Sequence, residues 1–193
     1  MRNEGTQENF LKFIDAYSRR VPDAIQGEYG AQFVSRLLPS VFLLNPGDER
    51  CIALQEDFIR RTAESPSVAV QKVGISFKER VYFEPGRLQS LVDGVKSVGD
   101  LAMPDVEKLF DRLKQHPDVS TYVFQGCLAI VGALVETKNI PSAENAIGKL
   151  REIEPSIVDA KNRQLISHFL SKFEKDVEFL RSSIDAASEP GAE

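Results

Sequence analysis

Proline constrains this chain more than any other residue type. Seven of its ten prolines are followed by Asp or Ser and then by Ala, Val or Ile. They are Pro22-Asp23-Ala24, Pro39-Ser40-Val41, Pro66-Ser67-Val68, Pro104-Asp105-Val106, Pro117-Asp118-Val119, Pro141-Ser142-Ala143 and Pro155-Ser156-Ile157. Proline fits the first turn of a helix, where its missing N–H would have no partner anyway. Asp or Ser beside it can accept hydrogen bonds from the free N–H groups of that turn, and Asp also suits the positive end of the helix dipole. Pro46, Pro85 and Pro190 are each followed by Gly, which reads as a turn. The chain is punctuated as helix starts and turn stops.

Between these marks the apolar period is helical. Phe10, Phe13, Ile14 and Tyr17 define a first amphipathic helix, and Phe33, Val34, Leu37 and Leu38 a second. Pro39 is expected to end or kink the second before the Val41–Leu44 run, and Asn45-Pro46-Gly47-Asp48 to turn. Further helices carry Ile52, Leu54, Phe58 and Ile59, then Leu88, Leu91, Val92 and Val95, then Val106, Leu109, Phe110 and Leu113. The apolar stretch Tyr122–Leu134, a short helix with Ala146, Ile147 and Leu150, and a long one from Pro155 to about Ala186 complete the set. Over 66–83 the residues Val73, Ile75 and Phe77 alternate as in a strand, whereas Val70, Val73, Phe77 and Val81 suit a helix face. Helix is the reading adopted, because Ser65-Pro66 is a start signal and a lone hairpin would have little sheet to join. The expected fold class is all-α: a helical stack or compact bundle of eight or nine helices, with a disordered segment over 1–9, one helical domain over 10–186 and a disordered tail over 187–193.

The prolines at 22, 66, 117 and 155 are each expected to open a long helical segment, at spacings of 44, 51 and 38 residues. HEAT and armadillo repeats run at about 40–47 residues, so the spacing admits either a repeat or a bundle that opens its helices with proline. His116-Pro117-Asp118-Val119, then Tyr122-Val123-Phe124-Gln125-Gly126-Cys127 and Ala129-Ile130-Val131-Gly132-Ala133-Leu134, resemble the start of an armadillo-type repeat. In that family a polar turn opens a helix, and a small-residue pair precedes an Ala-Leu stripe that packs on the next repeat. The repeat-like stretch covers about residues 104–135, with a weaker echo at Ser65–Gly74. The resemblance implies a protein-binding surface and no chemistry.

A net charge of −5 and a pI near 5.2 give no electrostatic reason to expect nucleic acid. The N-terminal MRNEGTQEN lacks a signal-like apolar core, and no run approaches the ~18 apolar residues that span a bilayer. The expected address is the cytoplasm, with no membrane partner. Cys51 and Cys127 lie in apolar helical contexts and are expected to be buried small hydrophobes.

The same sequence offers no recognisable catalytic motif. His116 and His168 lack partners at metal-ligand spacing, and Gly148-Lys149 lacks the rest of a phosphate loop. No cofactor, metal or catalytic residue is assigned. Two surfaces are candidates. Lys72 to Leu88 interleaves cations with aromatics, as a surface for an acidic peptide or a single strand would. Its candidate partner-binding residues are Lys78, Arg80, Tyr82 and Arg87. On the last helix, Ile166, Phe173 and Leu180, together with Leu170, Val177 and Ile184, make a three-four stripe. Such a stripe either docks on its own domain or forms a homodimer seam. The expected function is a protein–protein interaction module (adaptor, scaffold or regulatory subunit) that docks a peptide or helix between its helices. A small-molecule or cofactor sensor and an enzyme without a motif are the alternatives.

Overall fold

The computed structural model describes residues 4–44 and 48–188. The expected turn at Asn45-Pro46-Gly47, residues 1–3 and residues 189–193 of the expected tail lie outside them. Among the described residues there are nine α-helices and no strand: α1 (Glu4–Ala24), α2 (Glu28–Leu44), α3 (Glu49–Ala63), α4 (Val68–Tyr82), α5 (Pro85–Val98), α6 (Met103–Gln115), α7 (Thr121–Glu136), α8 (Ile140–Ile153) and α9 (Ala160–Ser188). The fold is all-α with a long C-terminal helix, as expected, and residues 68–82 are helical. Helix α1 begins at Glu4, inside the stretch expected to be disordered. The chain also divides into two compact units, Met1–Val81 and Tyr82–Glu193, where the sequence suggested one domain over 10–186.

In the first unit α2 packs on α1 and α3. Tyr17 of α1 is buried and its hydroxyl donates to the Leu54 carbonyl of α3 at 3.1 Å. Burial, with the Asp57 carboxylate nearby, pushes this phenol's pKa well up. Phe58 of α3 and Phe77 of α4, both fully buried, meet edge to face at 4.9 Å. The two helices approach closely because Gly74 lies over Thr62. A Cβ at position 74 would stand 2.0 Å from Thr62 Oγ1 and 2.6 Å from its Cβ. The Thr62 hydroxyl is satisfied there by the carbonyls of Phe58 and Ile59.

The second unit has a regular plan. Helix α5 packs beside α7 and α7 beside α9, while α6 packs on α8. Within each of these pairs the helices run parallel. Tyr122 donates to the Phe83 carbonyl just ahead of α5, Gly126 faces Leu88, and Lys96 pairs with Glu136 at 2.7 Å. Thr121 donates to Asn162 at 2.7 Å, and Phe173 lies against Gly132. On α6 and α8, Glu107, Asp111 and Lys114 meet Asn145, Lys149 and Glu152, each 38 residues on. Every second helix therefore repeats its neighbour at a pitch of 38 to 41 residues. Consecutive α8 and α9 are antiparallel, since Arg151 meets Glu174 while Arg181 meets Glu144.

A similar offset, of 37 residues, is written in the sequence at a place the proline spacings obscured. Met103-Pro104-Asp105-Val106 on α6 matches Ile140-Pro141-Ser142-Ala143 on α8. The core quartet Val106, Leu109, Phe110 and Leu113 matches Ala143, Ala146, Ile147 and Leu150, and all eight are buried. Pro104 and Pro141 do stand in the first turn of helices, and so does Pro85, although Pro85-Gly86 was expected to be a turn. The prolines at 22, 117 and 155 do not open the long helices as expected. Pro22 lies in the last turn of α1, and Pro117 lies in the loop before Ser120, which flanks α7. Pro155 sits in a 3-10 turn over Glu154–Ser156, after which Ile157 is extended and buried. Helix α9 starts later because the Asp159 carboxylate accepts from the Asn162 N–H at 2.8 Å. Pro39 neither ends α2 nor restarts it; a helix can lose the one backbone hydrogen bond a proline forfeits when its neighbours hold it.

Arg151 clamps α9 to α8. Its guanidinium binds both Glu174 oxygens at 2.8 and 2.9 Å, Ser171 at 3.0 Å and Glu154 at 2.8 Å. The Arg151 hydrogen bonds hold the Glu174 carboxyl below its usual range. A depressed carboxyl contributes stability above its unfolded pKa of about 4.3, and that contribution is lost as pH falls through the folded value. Glu174→Gln should therefore destabilise the chain near neutral pH, by on the order of 1 kcal/mol or less for a half-exposed pair, read as a lower thermal midpoint. The difference from the parent should shrink as pH falls through and below the ordinary carboxylate range; a difference that persists in strong acid would show that shape, and not charge, holds the clamp. At the α3–α4 crossing, Gly74→Ala should destabilise by about 1–3 kcal/mol, since Thr62 has nowhere to move. Gly148→Ala, on α8 with open space around it, should stabilise by about 0.5–1 kcal/mol. Urea titration of the two variants checks both signs.

Candidate functional site

Helix α4 divides its side chains between two faces. Val70, Gly74 and Phe77 face inward and are buried. Lys72, Ser76 and Arg80, spaced four apart, form one solvent-facing row. Opposite them α2 presents Glu28, Gln32, Ser35 and Arg36, residues four, seven and eight apart on one face. With Ala69 and Val73 as apolar floor, these residues line an open groove of about 630 Å³ within the first unit.

The groove's charge is what sets it apart. Elsewhere in this unit Arg19, Arg50, Arg60 and Arg61 are each paired with a carboxylate. Around Asp57, burial pushes the carboxyl up, but the Arg61 and Arg60 guanidinia outweigh it and hold its pKa below the ordinary value. Arg36, Lys72 and Arg80 line the groove without an ion pair to any described residue. The one carboxylate of the lining, Glu28, is engaged by the Gln32 amide at 2.9 Å. Residues 1–81 hold eleven cations and eleven anions, so the whole net charge of −5 lies in residues 82–193. A cationic groove thus stands on a neutral unit. On the adjoining face of α2, Tyr29 and Phe33 are 89% and 65% exposed, too exposed to serve the core.

The four partner-binding residues expected from sequence separate. Arg80 lines the groove and Arg87 is exposed on α5. Lys78 and Tyr82 are buried, and the expectation that they form part of a surface is corrected. The reason is the helical period: Lys78 follows Phe77 and Gly74 onto the inner face of α4. Tyr82 stacks on His116 at 5.4 Å, with the Arg112 guanidinium 4.2 Å from its ring centre. Arg36, Tyr29 and Phe33 were missed because they stand far from Arg80 in sequence. The signal available was Tyr29 and Phe33 at a four-residue spacing, off the buried face of Ala31, Val34 and Leu38.

The stripe on α9 takes the first of its two expected uses and docks on the chain's own α7 and α8. Ile166, Leu170 and Val177 are buried; Phe173 and Leu180 are half-buried. Three of the six seam residues are therefore closed to a second copy. Ile184 is exposed, and so is Phe179 beside the stripe.

No group of three or more His, Cys, Asp or Glu among the described residues is placed to hold a metal ion. No described helix is long and apolar enough to cross a membrane. His116 ends α6, its N–H donating to the Arg112 carbonyl, and His168 is exposed beside Phe169. Both thiols are free and buried, as expected. Burial alone pushes the Cys127 thiol up to about 12, and burial first raises that of Cys51. An aromatic disulfide reagent at about pH 8 should leave both thiols of the native chain untouched and label both in urea. Labelling of the native chain would show that one of these helices opens.

These geometric features stand on their own: no family model, no curated protein and no solved structure matches the chain.

Proposed function

We propose that the chain is a non-catalytic, cytoplasmic protein–protein interaction module, an adaptor, scaffold or regulatory subunit that docks a peptide or helix in an inter-helix groove. The observation that carries this reading is the α2–α4 groove, with Tyr29 and Phe33 exposed beside it. Tyr and Arg are the side chains that most often anchor protein interfaces, because they bury much surface at small entropic cost. A groove between neighbouring helices is also the usual seat of an amphipathic helix.

The second unit supports the same reading from its architecture. Parallel second neighbours at a 38-to-41-residue pitch agree with an armadillo/HEAT-type stack, in which each repeat buries its apolar face against the next. Such stacks serve as binding surfaces. A homodimer through α9 would use Phe179 and Ile184, since the rest of the stripe is at least half covered.

Selection of random displayed peptides on the intact chain, with counter-selection on Ser76→Trp, tests the proposal. Ser76 is exposed on the groove wall, so the indole fills the groove without entering the core. Enriched peptides should lose at least about tenfold in affinity for the variant, the loss expected when an anchor's site is blocked. If no peptide depends on the groove, the proposal fails.

A further inference from the structure

We propose that the occupant of the α2–α4 groove is an acidic segment of a partner protein. This rests on the interaction-module reading and names the partner's chemistry. Arg19, Arg50, Arg60 and Arg61 find carboxylates on their own or an adjacent turn. Arg36, Lys72 and Arg80 converge on one lining with no such partner among the described residues. Glu28, the only anion there, is held by Gln32.

The spacing narrows the ligand further. Lys72 and Arg80 stand eight residues apart on α4, about 12 Å along the axis at 1.5 Å per residue. Carboxylates eight apart on a helix match that separation, as do carboxylates about four apart on an extended chain at ~3.3 Å per residue. Arg36 comes from the opposite wall, and its planar guanidinium can grip a carboxylate by two parallel hydrogen bonds. Ala69 and Val73 between the charges are apolar, so an amphipathic acidic segment fits better than a uniformly charged one. Tyr29 and Phe33 can cover its apolar residues at the rim. A nucleic acid strand would need cations in a continuous track, whereas Glu28 interrupts this one.

The test is fluorescence anisotropy with three labelled probes. The first is a helical peptide carrying Glu at every fourth position among Leu and Ala, the second its Gln-for-Glu counterpart, and the third a single-stranded oligothymidylate. The Glu peptide should bind and should weaken steeply as salt rises from about 50 mM to about 500 mM. Arg36→Glu, Lys72→Glu and Arg80→Glu should each reduce its affinity by about tenfold or more, as reversal of a close charge does. Arg20→Glu, exposed and outside the groove, should not. Equal thermal midpoints establish that the variants are folded. Equal binding of the Glu and Gln peptides, both lost in Ser76→Trp, would overturn the acidic assignment and leave groove docking standing. Failure of the Glu peptide to bind, or tighter binding of the oligothymidylate, would also overturn the assignment.

Discussion

Helix α7 carries apolar side chains around most of its circumference, and a helix of that kind must be covered on nearly every side. Val123, Phe124, Cys127, Leu128, Ile130, Val131, Ala133 and Leu134 are all buried. One neighbour cannot cover them. Helix α5 takes one flank and α9 the other, both parallel to α7, while α8 also packs on it. Gly126 and Gly132 make room on those flanks for Leu88 and Phe173. The two-layered plan of the second unit follows from this requirement. Each fully buried aliphatic or aromatic side chain contributes about 1.5–3 kcal/mol, so the helix organises the unit energetically as well as geometrically.

The polar contacts around that core do a different job. Glu107, Asp111 and Lys114 pair with α8 at a constant offset, and Arg151 binds α9 through two parallel bonds. Exposed pairs of this kind are worth about 0–1 kcal/mol each. They fix register more than they stabilise. Asp100 does the same for the start of α8, accepting from Asn139 at 2.7 Å and Ser142 at 2.9 Å. The contrast gives the groove cations their meaning. Where Arg19, Arg50, Arg60 and Arg61 of the same unit are answered by an internal carboxylate, three cations left facing one groove represent charge available to another molecule.

Much of this was legible in the chain itself. Period and punctuation placed nearly all the helices, including α4, where alternation also allowed a strand. They placed both cysteines inside. Proline was a less faithful guide, because it marks a position a helix tolerates and does not compel a helix to begin. Ser120 and Asp159 stand where α7 and α9 actually start, while Pro117 and Pro155 occupy the preceding loops. The sequence counterpart of the α6–α8 packing is the pair of buried quartets on these helices, thirty-seven positions apart by number. The candidate site was half legible: Arg80 and Lys72 share a helix face that can be drawn from spacing, and Lys78 and Tyr82 leave it for the same reason.

The sequence by itself determined the helices, their amphipathic faces and the absence of any local motif for metal or phosphate, since each depends on residues within a few turns of one another. Tertiary structure alone decided which faces meet. It brought Arg36 of α2 opposite Lys72 and Arg80 of α4, laid the α9 stripe on α7 and α8 and buried Lys78. These outcomes turn on packing between segments distant in the chain, where shape and close approach, as at Gly74 and Thr62, choose among partners of equal hydrophobicity. Helical periodicity shows that a face will be covered, but the covering element is selected by complementarity of whole surfaces.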